Sequence, residues 1–205
     1  MNNYRPISVR PSFSKIIERL VHKRLYSYVT KFNILTPEQF GFQKNFSTYM
    51  AQIDLYDNIS KAIDEKKYPI GIFIDLKKAF DTVDFNIPVQ KLNHYGVHGL
   101  ALKWFKNYLS NRRQYVSVNG IDSSWKTVTC GIPQESILGP LLFLLYNNDI
   151  VNCSQIIHFI IFADDTTLFF SGEDIATLID TINCELKKLL CWFKANKLSL
   201  NYRLM

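Results

Sequence analysis

An α+β fold, with a small antiparallel sheet packed against helices on one face, is the class this sequence predicts, and three observations carry it. Amphipathic helical stretches and short β-type runs follow one another in the order helix–helix–strand–helix–helix–hairpin–helix–hairpin–helix. Each hairpin has its own turn signal: Asn119-Gly120 within "QYVSVNGIDSSWKTV" and Asp164-Asp165 within "HFIIFADDTTLFF". Finally, 205 residues at 47% hydrophobic and 14% aromatic content can bury a real core, and so rich a chain is not disordered over most of its length.

Taken in order, Ser12 and Ser14 are N-cap candidates for a helix carrying Ile17, Leu20, Val21, Leu25, Tyr28, Val29 and Phe32 on one face. Pro37 and Gly41 in "NILTPEQFGF" break that pattern. A second helix begins at Ser47 or Thr48 and runs to Lys66, with Ile53, Tyr56, Ile59 and Ile63 as its buried stripe. Ile70, Ile72, Phe73 and Ile74 make a buried strand that ends at Asp75. Short helices are expected over Ile87–His94 and Gly99–Leu109. "SILGPLLFLLYNND" reads as an apolar helix with Pro140 in its first turn, where proline is tolerated. From Asp174 a last helix carries Ile175, Leu178, Ile179, Ile182, Leu186, Leu189, Leu190 and Phe193.

The net charge of +6 and pI near 9.1 suit a polyanionic partner, and suit a mildly basic soluble protein equally well. Cys130, Cys153, Cys184 and Cys191 have neither CxxC spacing nor a histidine at zinc-like distance, so they read as buried thiols in a reducing compartment. His94 and His98 lack an HExxH context and are not metal ligands. No apolar run approaches the ~18–20 residues that span a bilayer, and "MNNYRPISVR" has no signal-peptide core, so a soluble, intracellular protein is expected, nucleus and cytoplasm being indistinguishable.

Asp164 and Asp165 sit inside an apolar run, where a second carboxylate adds repulsion to the cost of desolvation. One reading is a hairpin turn open to water, without chemistry. The other begins from Asp75: if its strand neighbours this hairpin, three carboxylates meet at one sheet edge and need divalent cations to neutralise them. All-oxygen ligation suits Mg²⁺, and two such ions would serve phosphoryl transfer.

Several motifs then occur in one order: "FIDLKKAFDTV" (Phe73–Val83), "YLSNRRQYVSVNG" (Tyr108–Gly120), "GIPQESILGPLLFLLYNNDI" (Gly131–Ile150), "FADD" (Phe162–Asp165) and "WFKANKLSLN" (Trp192–Asn201). They resemble the palm motifs of reverse transcriptases of non-LTR, LINE- or jockey-like retrotransposons. "NYRPISV" (Asn3–Val9) and "QFGFQKNFST" (Gln39–Thr48) resemble that family's fingers motifs. The resemblance implies a right-hand polymerase fold, with residues 1–69 as fingers and 70–205 as palm with a fingers insertion. It implies Asp75, Asp164 and Asp165 as catalytic, metal-binding residues for two Mg²⁺ ions, with Mn²⁺ a possible substitute. Asp164 would ligate metal directly, and Asp165 would contribute mainly charge. The Leu76 carbonyl would be a further ligand, and Phe80 would exclude a ribose 2′-hydroxyl. Gln134 would lie along the incoming nucleotide, and Arg5 would pack over the base and contact the triphosphate. The implied partners are an RNA template, a DNA primer and deoxynucleoside triphosphates, with no membrane.

Phe80 and Arg5 also have plain readings, as core and as a surface cation. Arg112 and Arg113 read either as phosphate contacts or as a solvated turn. Asp81 and Asp84 read as capping or surface charges. Three positions depart from the family pattern: Glu135 where glycine is usual, Gln43 where arginine is usual, and Leu204, beside Arg203, where lysine is usual. The chain also stops before a thumb, and no endonuclease domain precedes it, so a truncated copy is expected. The function so implied is RNA-directed DNA polymerase; the alternatives are an inactive nucleic-acid-binding remnant and an RNA-dependent RNA polymerase.

Overall fold

The structure is a computed structural model that describes residues 11–201. Helices α1 (Ser12–Lys31) and α2 (Thr48–Asp64) come first, then strand β1 (Tyr68–Ile74) and helices α3 (Ala79–Thr82), α4 (Asn86–His94) and α5 (Gly99–Leu109). A small arm follows: β2 (Arg112–Gln114) is the first outer strand, and β3 (Ser117–Val118) and β4 (Ile121–Asp122) form the inner pair. Strand β5 (Lys126–Val128) returns along β2. Helix α6 (Gly139–Asn147) then leads through a 3-10 turn, Ile150–Cys153, to β6 (His158–Phe162), β7 (Asp165–Gly172) and α7 (Ile175–Ala195).

The main sheet is antiparallel with strand order β1-β7-β6. Its register sets Ile72 against Leu168 and Ile74 against Thr166, with Phe159 and Ile161 as the β6 partners of the same two β7 residues. Because strand side chains alternate, Ile70, Ile72, Ile74, Phe159, Ile161, Leu168 and Phe170 share one face, and that face packs into the main core. The centre of the core is α6, apolar all round and therefore buried all round, with Leu141 to Asn147 out of contact with solvent. Leu92, Phe105, Leu109, Leu189 and Phe193 close around it.

The opposite face carries His158, Ile160 and Phe169, and α2 lies over part of it: His158 Nε2 is 2.8 Å from Asp54 Oδ2 and 3.1 Å from Asn58 Nδ2. Helices therefore cover both faces, not one. Phe73, expected to be buried, stands on this second face at 75% exposure, since β1 is an edge strand that α2 covers only in part.

Local signals place the helix starts. Ser47 Oγ accepts the Met50 N–H at 3.3 Å, and Asp174 Oδ2 accepts that of Thr177 at 2.8 Å. Asn119 and Gly120 take φ of 51° and 79°, the left-handed pair that a two-residue hairpin turn needs. The apolar stripes are wider than the contacts made. On α1, Ile17 and Leu20 are exposed, as is Phe32 just past its end, while Glu18 is buried; on α2, Ile53, Tyr56 and Ile63 are exposed and Ala62 is buried. Helix α7 buries the ridge Leu178, Ile182, Glu185, Leu189 and Phe193, and leaves Ile175, Ile179 and Leu190 in solvent. Each of these three helices meets the body along one narrow ridge, and flanking apolar residues at helical spacing miss it. The thiols depart similarly: all four are free, but Cys130, Cys184 and Cys191 are exposed and Cys153 is half-buried. Among the described residues no helix is long and apolar enough to cross a membrane.

Candidate active site

The β6–β7 turn and the end of β1 lie side by side. Phe162 pairs with Asp165 across the hairpin, Ile74 pairs with Thr166, and Asp75 follows Ile74 at once. Asp75 thus arrives beside the Asp164–Asp165 turn. The Asp165 carboxyl is pushed above the usual carboxylate range, first by desolvation, then by the Asp164 and Asp75 charges. Among the described residues no lysine or arginine forms an ion pair with any of the three.

A second chain segment holds Asp75. Leu76 bridges to Leu200 in antiparallel fashion, with Asn201 N–H donating to the Asp75 carbonyl at 3.0 Å and Lys77 N–H to the Ser199 carbonyl at 2.8 Å. That bridge bonds through Asp75 and Lys77, not through the Leu76 carbonyl. Asn201 Nδ2 also donates to Asp75 Oδ2 at 2.7 Å, which orients the carboxylate. Among the described residues no three His, Cys, Asp or Glu side chains are gathered into a group that could itself hold an ion. The donor chemistry nonetheless fits a hard divalent cation: Asp165 is raised first by desolvation and then by the Asp164 and Asp75 charges, and among the described residues no lysine or arginine is ion-paired with any of the three.

The raised Asp165 has a consequence for stability. The folded state binds this proton more tightly than the unfolded chain, so stability falls as pH rises from the ordinary aspartate range through the raised value, and the penalty is complete above it. In metal-free buffer Asp165→Asn should therefore unfold at higher temperature than the parent near pH ~7, with the difference vanishing near pH ~3 where both forms are neutral. An equal difference at both pH values would contradict the charge crowding.

The loop after the arm docks along α3. Gly131 N–H donates to the Val83 carbonyl at 2.8 Å and Ile132 N–H to that of Phe80 at 2.7 Å. The Phe80 ring is half-buried and stacks on Phe143 of α6, centroids 4.4 Å apart. Gln134 Nε2 donates to Asp81 Oδ1 at 2.7 Å, so Asp81, read from sequence as a capping or surface charge, instead holds the loop. Asp84 accepts the Asn86 N–H at 2.9 Å and pairs with Lys197 at 2.6 Å, which together hold its carboxyl below the usual range. From α1, the buried Glu18 Oε2 accepts the Ile137 N–H at 2.9 Å. Gln43 Nε2 turns back to donate to the Gln39 carbonyl. Arg5, Arg203 and Leu204 lie outside the described residues.

Glu135 is exposed and adopts φ of +59°, a left-handed conformation that suits glycine. Glu135→Gly should therefore raise stability by about 0.5–1 kcal/mol as strain is relieved, against the entropy that glycine adds to the unfolded chain. Urea unfolding of the two forms checks this, and a loss in the glycine form would show that Glu135 makes a compensating contact.

The two arm arginines differ. Arg112 donates from Nε to the Leu109 carbonyl at 2.9 Å and from the guanidinium tip to the Gly131 carbonyl, and lies over Phe85, so it ties the arm to the loop. Arg113 sits over the exposed Trp125, 5.5 Å from its centroid, with Tyr115 edge-on to the same ring.

A right-hand polymerase fingers-and-palm fold is what this arrangement defines, and solved structures agree. A truncated apo telomerase from Candida tropicalis superposes with TM-score 0.62 at 11% identity, over 87% of this chain and 38% of that one. A telomerase from Candida albicans, in complex with a fragment of telomeric RNA, gives 0.62 at 13% identity over 89% of this chain and 35% of that one. The profile of the family "Reverse transcriptase (RNA-dependent DNA polymerase)" matches residues 1–203, and the chain belongs to that family. In sequence it is 33% identical to a probable RNA-directed DNA polymerase from transposon BS of Drosophila melanogaster, over 97% of this chain and 23% of that protein. The RNA-directed DNA polymerase of the mobile element jockey, from the same fly, is 30% identical over 85% of this chain and 20% of its own length. The chain therefore spans about a quarter or less of the curated relatives it matches.

Proposed function

We propose that this chain is the fingers and palm of a non-LTR retrotransposon polymerase, adding deoxynucleotides to a DNA 3′-hydroxyl on an RNA template. Residues 1–69 form the fingers and 70–205 the palm with its fingers insertion. The observation that carries the reading is the arrival of Asp75 beside the Asp164–Asp165 turn, close enough for their charges to raise Asp165. Asp75 and Asp164 would bind the cations and Asp165 would add negative charge to their site, with the Leu76 carbonyl as a further ligand. Two Mg²⁺ ions would there supply activation of the attacking hydroxyl and stabilisation of the leaving pyrophosphate. The 3′-oxygen forms its bond to the α-phosphorus as the bond to the leaving pyrophosphate breaks, and the hydroxyl proton departs to solvent. Asn201 keeps the Asp75 carboxylate in one orientation during this exchange. Phe80, fixed on Phe143, excludes a ribose 2′-hydroxyl. Gln134 lies along the incoming nucleotide, steadied by Asp81, and Arg5 contacts its triphosphate. Arg113 on Trp125 offers a cation and a flat ring to a nucleic-acid strand. Four unpaired thiols are in keeping with a reducing, intracellular setting.

Primer extension on an RNA template tests the reading. Extension with deoxynucleotides that requires Mg²⁺ or Mn²⁺ supports it, and preferential use of ribonucleotides would point to an RNA-dependent RNA polymerase. Glu135, whose carboxylate stands in the loop beside Gln134, favours the second reading, a nucleic-acid-binding protein without catalysis. Binding of a template–primer duplex without any extension would establish that reading.

A further inference from the structure

Gln39 carries no role in the site as described so far, yet its environment is unusual for a polar side chain. It is 2% exposed, and its Oε1 accepts two backbone N–H groups, that of Gly41 at 2.8 Å and that of Ala163 at 3.0 Å. Ala163 immediately precedes Asp164 and takes φ of +60°, a conformation disfavoured for alanine unless its surroundings impose it. The backbone around Gln39 is bound to the same hairpin. Phe40 N–H donates to the Ile161 carbonyl at 2.7 Å and Ile161 N–H to that of Glu38 at 2.9 Å, a parallel bridge on the outer edge of β6. Contact is so close that a Cβ built on Gly41 would lie 2.4 Å from the Ala163 nitrogen. The Gln39 amide is therefore locked between two segments, and one of them is the turn that bears the carboxylates.

We propose that Gln39 is a positioning residue: it fixes the Ala163–Asp164 turn and so aims the Asp164 carboxylate. This rests on the reading of Asp75, Asp164 and Asp165 as the metal-binding site. The physical need is plain, because a misplacement of about 1 Å at such a site costs on the order of a hundredfold in rate. Without an acceptor at Gln39 the Ala163 N–H loses its partner and the turn can leave its left-handed conformation.

The test uses Gln39→Leu, which keeps the volume and removes the acceptor, and Gln39→Glu, which keeps an acceptor oxygen. Amide hydrogen exchange at Ala163 and Gly41 should quicken about tenfold in the leucine variant, while Leu168 and Phe170 in the same sheet stay at parent rates. The glutamate variant should keep Ala163 protected. Mn²⁺ affinity, read by EPR titration without nucleic acid, should weaken about tenfold in the leucine variant. In primer extension kcat should fall about ten- to a hundredfold, with KM for deoxynucleotide within about threefold of the parent. Unchanged exchange at Ala163, equal acceleration at every core amide, or unchanged Mn²⁺ affinity would each overturn the proposal. A parent chain that binds Mn²⁺ but never extends a primer would count against the polymerase reading alone, and exchange and Mn²⁺ binding would still decide the role of Gln39.

Discussion

Asp164→Asn is expected to lower RNA-templated primer extension by about a thousandfold or more, with nucleic-acid binding close to that of the parent. The substitution keeps size and shape and removes one charge from a cluster whose purpose, on the proposed mechanism, is to hold cations. Asp164 is half-buried in the turn, and among the described residues no lysine or arginine forms an ion pair with it. The same change at Asp165, which on the proposed mechanism contributes mainly charge, should cost less. Single-turnover extension at saturating template–primer separates chemistry from binding. An asparagine variant at Asp164 that extends within about tenfold of the parent would remove the metal-site reading, since no route to cation binding would survive so mild a loss.

Gly131→Ala is expected to destabilise the chain by about 2–4 kcal/mol, the sum of a left-handed backbone strain and an overpacking clash. Gly131 has φ of +90°, and an added Cβ would stand 2.7 Å from the Asp81 carbonyl oxygen and 3.0 Å from its carbon. These are backbone atoms of α3 and cannot rotate aside. The loop could escape only by giving up the Gly131–Val83 hydrogen bond that docks it. Gly120 provides the control: its φ is +79°, but nothing lies within 4 Å of its would-be Cβ. Gly120→Ala should cost only about 1 kcal/mol, the backbone term alone. Equal losses at the two glycines, measured by urea unfolding, would show that the contact with Asp81 is not felt.

The parts of this molecule written in local patterns were legible from the sequence. The Asn119-Gly120 turn, the α7 start at Asp174 and the all-apolar α6 each follow from residues within a few positions of one another. Asp75 beside Asp164 was expected only on the condition that their strands are neighbours, and the antiparallel pairing of β1 with β7, Ile74 opposite Thr166, is what meets it. What could not be read was contact between distant segments. Gln39 on Ala163, Asn201 on Asp75, Glu18 on Ile137 and Asp81 on Gln134 each join a polar side chain to a distant segment, and the sequence around it gives no sign of the partner. A buried glutamate on a helix face such as that of α1 looks like a solvated charge until the loop it caps is seen. The exposed Ile53, Tyr56 and Ile63 of α2 make the converse point: helical spacing tells which residues share a face, not whether another element reaches it.

The pairing of Leu76 with Leu200 bears on how the protein is made. While a ribosome is still building the later helices, Asp75 has already emerged, yet the segment that orients it has not been synthesised. Synthesis proceeds at about 5–20 residues per second, so this carboxylate waits on the order of ten seconds for Asn201. During that interval the β1 edge has neither β7 beside it nor the Ser199–Asn201 segment at its end, and the nascent chain exposes an apolar strand to its neighbours. Chaperone demand during translation should accordingly peak between the emergence of β1 and that of β7, and should be relieved before Asn201 is synthesised.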